Sequence, residues 1–250
     1  FTNGYAANAV CAPSRASIMT GRYSTRFGFE FTPFFKTGVT IFRWMDELDP
    51  SPVPLLLDPE SAENMKPMVE LGMPNSEITI AELLKEQGYY SAHIGKWHLG
   101  SVGDMVPLKQ GFDDSLYLKG SLYLPDDHPQ VVNAKVSGDR IDRMVWAMGR
   151  YSVNFNGLGE PNEQFAPQGY LTNYYTDEAV KVIEHNRHRP FFLFLAHWGI
   201  HNPLQASRED YEALSHIKDH RLRVYSAMIR AVDRSVQRVT QALEDNGQIG

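Results

Sequence analysis

Twice along this chain a short amphipathic helix pattern meets a breaker and then runs straight into a brief apolar strand. That alternation restricts the fold more than any other feature. In the first unit Thr79 and Glu82 form a capping box, and Ile80, Leu83 and Leu84 supply an apolar face. Gly88 stops that helix before the strand-like segment Tyr89 to Ile94. In the second unit Thr176 is predicted to cap a helix with Ala179, Val182, Ile183 and Asn186 on one side. Pro190 then precedes a buried strand, Phe191 to Ala196. A long final helix carries Leu222, Tyr225, Ile229, Val232, Val236, Val239 and Leu243 at alternating steps of three and four. This is one apolar stripe expected to face a sheet, closed by Asn246-Gly247. Helices alternating with short apolar strands predict an α/β layer with a largely parallel sheet. In such sheets chemistry gathers in loops leaving the carboxyl ends of strands. Gly95-Lys96-Trp97-His98 and the run from His197 to Pro203 (HWGIHNP) both occupy such positions.

The rest is less regular. Residues 13–20 read as a short helix, with Pro13 in the first turn and Gly21 as the stop. From Phe31 to Pro74 the pattern is broken by Pro33, Pro50, Pro52, Pro54, Pro59, Pro67 and Pro74, which predicts mostly irregular surface. Residues 101–170 read as loop-rich, with acidic pairs at Asp113-Asp114 and Asp126-Asp127. A net charge of -6 argues against nucleic acid as a partner, because non-specific affinity for the phosphate backbone comes from clustered Lys and Arg. No stretch approaches 18 uninterrupted apolar residues, so no membrane span is expected. One cysteine excludes an internal disulfide framework. The chain begins with Phe1 and without a targeting pattern, which suggests that it starts inside a domain.

That single cysteine lies in Cys11-Ala12-Pro13-Ser14-Arg15, which continues to Thr20-Gly21-Arg22. The thiol sits just before a helix start, where orphan N–H groups and the helix dipole favour an anion. Arg15, four residues on, can turn back to the same spot with a planar fork that matches a tetrahedral oxyanion. The competing reading is an inert cysteine buried beside a helix end. Lys96 alone reads as a solvated surface group. His98 stands two residues after Lys96, beside Trp97, which reads as a packing residue. His201 lies in the short pattern His-x-Pro, while His197 suits a core or supporting role, and His185 and His188 face solvent.

Cys-x-Pro-Ser-Arg followed by Thr-Gly-Arg resembles the first signature of the type I sulfatases. Gly88-Tyr89-Tyr90-Ser91 with Gly95-Lys96-Trp97-His98-Leu99-Gly100 is similar to the second signature, in the right order. The resemblance implies an alkaline-phosphatase-like α/β sandwich and a sulfuric ester hydrolase. This chain would be an internal part of one catalytic domain, residues 1–250, lacking the first strand and the C-terminal portion. It also implies that a dedicated modifying enzyme oxidises Cys11 to Cα-formylglycine, whose hydrate is the nucleophile. Arg15 would hold that group, Lys96 would contact sulfate oxygens, and His98 would bind the diol. His201 would be a further sulfate contact near the leaving oxygen. A divalent cation, usually calcium, would be held by residue 11 as formylglycine and by ligands outside this chain. Asp113-Asp114 and Asp126-Asp127 fall in the wrong order for that set and read as surface acids, and Asp245-Asn246-Gly247 reads as a helix end. The substrate would be an aryl, sugar or glycosaminoglycan sulfate, and the compartment periplasmic, secreted or lysosomal. Two other readings stay open. One is a phosphonate monoester or phosphodiester hydrolase using the same modified residue; the other is a binding module without catalysis.

Overall fold

The computed structural model describes residues 3–33, 36–48, 50, 56, 64–67, 70–136, 138–157 and 162–248. The chain divides into two compact units, residues 1–91 with 97–112 and residues 92–96 with 113–250.

The first unit holds α1 (Cys11–Thr20), α2 (Lys36–Leu48) and α3 (Ile80–Glu86). In α1, Ala12, Ala16 and Met19 recur at one-turn spacing and are buried. Gly21 ends the helix at φ 65°, its N–H donating to the Ser17 carbonyl. The capping box of α3 is present in full: Thr79 Oγ1 accepts from the Glu82 N–H, and Glu82 Oε2 accepts from the Thr79 N–H. Helix α2 corrects the expectation of irregular chain after Phe31. Pro33 and Pro50 flank it instead of breaking it, and Gly38, Ile41, Phe42 and Met45 turn inward at helical spacing. Pro52, Pro54 and Pro59 lie outside the described residues.

The second unit is built on a sheet with strand order β5-β4-β2-β1-β6. These strands are β1 (Tyr90–Gly95), β2 (Asp114–Leu118), β4 (Val153–Gly157), β5 (Glu163–Phe165) and β6 (Phe191–Ala196). The short strands β3 (Val131–Asn133) and β7 (Gln205–Ser207) pair separately, antiparallel. The α/β class stands, but the sheet is mixed. Strand β1 runs parallel to β2, with Ala92 opposite Asp114, whereas β2 with β4 and β4 with β5 are antiparallel. Strands β2, β3, β4 and β5 lie within 101–170, so that segment is more ordered than its loop-like sequence implied. Asp114 opens β2, and Asp113 and Asp114 are half-buried instead of lying on the surface. Asp126 and Asp127 are exposed, with Asp126 paired to Lys135 at 2.9 Å. Strand β6 is half-buried from 191 to 195 instead of buried, because it ends the strand order among the described residues.

The helices of this unit are α4 (Arg140–Ala147), α5 (Leu171–His185), α6 (Arg208–Ala213) and α7 (His220–Asp245). Thr176 is not a cap. Helix α5 begins at Leu171, and the Thr176 hydroxyl bonds back to the Thr172 carbonyl and to Ser235 Oγ. The apolar stripe expected on α7 faces inward only in part: Val232, Val239 and Leu243 are half-buried, Val239 against the core, and the other members are exposed. Leu222, Ile229 and Val236 are 54%, 45% and 60% exposed, while Val224, Ala227, Met228, Ala231, Ser235 and Ala242 are buried. Small residues at 227, 231 and 235 let α7 lie close against α5, and that close fit outweighs the area of the larger side chains. The core of the unit joins Ile94, Leu116, Tyr123, Val153, Tyr175, Val224 and Met228. Asn246 follows the last turn of α7 and Gly247 has φ 66°, the helix end read from the sequence. No helix among the described residues is long and apolar enough to cross a membrane.

Candidate active site

In the first unit Cys11 is the opening residue of α1, after an extended Val10 that offers no side-chain cap. Asn8 shapes the approach: its side chain accepts from the Val10 N–H and its carbonyl accepts from the Ser14 hydroxyl. Residue 11 therefore stands at a helix N-terminus, where backbone N–H groups are oriented toward an anion. Its Sγ lies 3.5 Å from Thr32 Oγ1, a neighbour that no local pattern announced. Arg15, one turn on, feels both burial, which pulls its guanidinium below the ordinary range, and the negative charge of Cys11, which opposes that pull. Arg22 of the same motif has a different task, pairing with the buried Glu77 and lying 5.8 Å over the Phe27 ring.

His98 also belongs to the first unit. It has φ 65°, the only positive value on a residue other than glycine among the described residues. A side chain in that region carries a conformational cost, and such positions cluster at functional sites. Its buried Nδ1 has no hydrogen-bond partner among the described residues. Trp97 packs as read, donating Nε1–H to the Met105 carbonyl with its ring edge-on to Phe112.

In the second unit Gly95 ends β1 at φ 111°, and a Cβ placed there would lie 2.0 Å from the Ala196 carbonyl oxygen. Only glycine permits that approach, which lets the Lys96 N–H donate to Ala196 at 2.8 Å. The Lys96 side chain is 8% exposed and its Nζ lies 4.6 Å over the Trp198 ring. Trp198 stacks on His201 at 4.0 Å, with 27° between the ring planes. His201 donates Nδ1–H to the Asn202 carbonyl, which assigns the acceptor role to Nε2 in the neutral ring. The Tyr123 hydroxyl, fully buried, reaches the carbonyls of both Trp198 and His201 at 2.9 Å. Asn202 Nδ2 donates to the buried Asp142.

His197 is a structural residue. Thr176 gives its hydroxyl proton to the Thr172 carbonyl, so Ser235 donates to Thr176 and His197 Nε2–H donates to Ser235. Burial lowers the His197 pKa from 6.5 to about 4. His185 and His188 are exposed, as read.

The structure thus groups Lys96 with His201 in one unit, and Cys11, Arg15 and His98 belong to the other. Trp198, Tyr123, Asp142 and Thr32 complete the two surroundings; of these, only Trp198 stands in a segment the sequence had flagged. No group of three His, Cys, Asp or Glu side chains suited to a metal ion exists among the described residues. Cys11 brings at most one ligand, so the described residues alone do not make up a cation site.

The Sulfatase family model matches residues 1–249. The chain belongs to the sulfatase family. It is similar to N-acetylgalactosamine-6-sulfatase of Homo sapiens, 31% identical over 98% of this chain and 40% of that protein. It is also similar to an arylsulfatase of Hemicentrotus pulcherrimus, 31% identical over 98% of this chain and 37% of that one. This sulfatase chain therefore spans well under half the length of these relatives. The crystal structure of Ps i-CgsB covers 98% of the chain at TM-score 0.68 and 28% identity, over 46% of its own length. Its fold places this member of the family in the alkaline-phosphatase-like α/β class.

Proposed function

We propose that the protein hydrolyses a sulfate monoester carried on a carbohydrate, with Cys11 as the precursor of a formylglycine nucleophile. The observation that carries this reading is the opening of α1, where residue 11 meets orphan N–H groups and has Arg15 one turn away. In its hydrated form an aldehyde at position 11 offers two hydroxyl groups. One oxygen attacks sulfur and the ester alcohol leaves, taking up a proton. The second hydroxyl then loses its proton, the aldehyde re-forms, and sulfate is expelled by cleavage of the C–O bond. Water restores the hydrate. Arg15 offsets charge on the modified side chain, and His98 binds the diol and takes the proton as the intermediate collapses. Lys96 and His201 contact the sulfate oxygens, His201 through an Nε2–H that the ring carries only as imidazolium, and such fixed cations stabilise redistributed negative charge.

Two comparisons support a carbohydrate ester. The related human enzyme is named for a sulfated amino sugar, and Ps i-CgsB has been solved in complex with k-i-k-neocarrahexaose. The test uses the full-length protein co-produced with a formylglycine-generating enzyme. Mass spectrometry of the Cys11 peptide is expected to show the aldehyde, and sulfated oligosaccharides are expected to release sulfate. Cys11→Ala is expected to abolish release with the fold intact. A plain thiol at position 11 together with undiminished turnover would refute the nucleophile, and faster turnover of a phosphate diester would refute the ester assignment.

A further inference from the structure

Lys96 and His201 reach the second unit's candidate site from beyond the ends of two different strands, β1 and β6. A lysine ammonium rides on a flexible four-carbon stem, so a site that needs it at one point must restrain it. One restraint is an indole that both residues touch. Trp198 lies two residues beyond Ala196, whose carbonyl accepts the Lys96 N–H, so the backbone contact itself brings the Lys96 stem alongside the ring. The ammonium then sits 4.6 Å over the ring, and the His201 imidazole stacks on the same side chain at 4.0 Å. Trp198 is itself fixed: it is 8% exposed, its Nε1–H donates to the Ser121 carbonyl at 2.8 Å, and its own carbonyl accepts from Tyr123. An aliphatic side chain would fill that space but would lack the negative ring face that attracts a cation.

We propose that Trp198 is the positioning residue of the sulfate site, a rigid plate that holds the Lys96 ammonium and the His201 ring in fixed relation. The proposal rests on the functional reading above, in which those two groups contact sulfate oxygens. Trp198 touches no reacting atom and acts through its two neighbours. Phenylalanine preserves an aromatic face, though a smaller one, and loses the hydrogen bond to Ser121. Leucine and methionine preserve apolar bulk and lose the face.

The experiment compares kcat and KM on a sulfated oligosaccharide for the modified full-length wild type and for W198F, W198L and W198M, each checked for folding by near-UV circular dichroism. W198F is expected to stay within about threefold of wild type in kcat/KM, whereas W198L and W198M lose roughly tenfold or more. The loss is expected mainly in kcat, because misplacing groups aligned for the transition state costs rate more than affinity. W198M serves as the matched variant if W198L fails to fold, and the rescue by phenylalanine separates ring from bulk. Equal kcat/KM in W198F and the folded aliphatic variant, with wild type active, would overturn the positioning role alone. A modified wild type that releases no sulfate would overturn the functional reading and this proposal with it.

Discussion

His98 sits at φ 65°, where a residue with a Cβ carries about 1–2 kcal/mol of backbone strain. Replacement by glycine relieves that strain, while replacement by alanine keeps it and removes the ring. H98G is therefore expected to be more stable than H98A by about 1 kcal/mol in urea unfolding, although both lack the imidazole. Both variants are expected to lose on the order of 10²-fold in turnover, the size typical of one missing transition-state contact. Wild-type turnover in H98G would remove His98 from the mechanism. Residues of this kind were legible because their neighbours in sequence announce them: Cys11 and Arg15 are one turn apart, and Lys96 and His98 share a turn after a strand. Thr32 and Tyr123 were not legible. They meet Cys11, Trp198 and His201 across 21, 75 and 78 positions, and no spacing rule spans such distances.

Between elements of the second unit, the end of β1 lies tight against the end of β6. G95A would drive a Cβ to 2.0 Å from the Ala196 oxygen at a φ that disfavours any side chain. The strand ends would have to part and release the Lys96 N–H, so a loss of about 3 kcal/mol or more is expected in denaturant unfolding. A milder change is Y123F, which removes one buried donor and leaves the Trp198 and His201 carbonyls without it. The expected cost is about 1–3 kcal/mol, measured by the urea midpoint. An unchanged midpoint would show that the tyrosine does not anchor the turn carrying His201. Elements with local start signals were readable, above all α3 with its reciprocal capping box. Strand β4 (VNFNG) alternates apolar and polar residues over only four positions and β5 (EQF) has a single apolar residue, signals too short to stand out from a loop without their antiparallel partners. Helix α7 was recognised, yet its buried side was only partly identified: Val232, Val239 and Leu243 turn inward as expected, but close approach through Ala227, Ala231 and Ser235 governs the packing.

At the scale of the whole molecule the α/β class followed from helix and strand alternation, whereas the division into two units did not. The boundary runs through β1, at residues 91 and 92, where the sequence shows one continuous strand-like segment. The long-range ties of the second unit also set its response to acid. His197 is held neutral in the fold, its pKa lowered by burial from 6.5 to about 4, with its Nε2–H committed to Ser235. Below pH 6.5 the unfolded chain takes up a proton that the folded ring refuses. The stability it contributes is thus complete above that pH and is lost as the pH falls toward 4. Asp210 follows at lower pH. Burial pushes its carboxyl up, but hydrogen bonds and charge from Arg234, Ser207 and Arg230 more than offset this and leave it below 3.8. Its contribution is present above 3.8 and is lost as the pH falls through the depressed folded value. Acid unfolding should therefore come in two stages, and H197Q isolates the first, because glutamine can still donate to Ser235 but does not titrate. The wild type is expected to lose about 1–2 kcal/mol more than H197Q between about pH 7 and about pH 5 in urea unfolding. Parallel losses in the two proteins would mean that the ring takes up its proton in the fold as readily as in the unfolded chain, contrary to the Thr176–Ser235–His197 hydrogen-bond order.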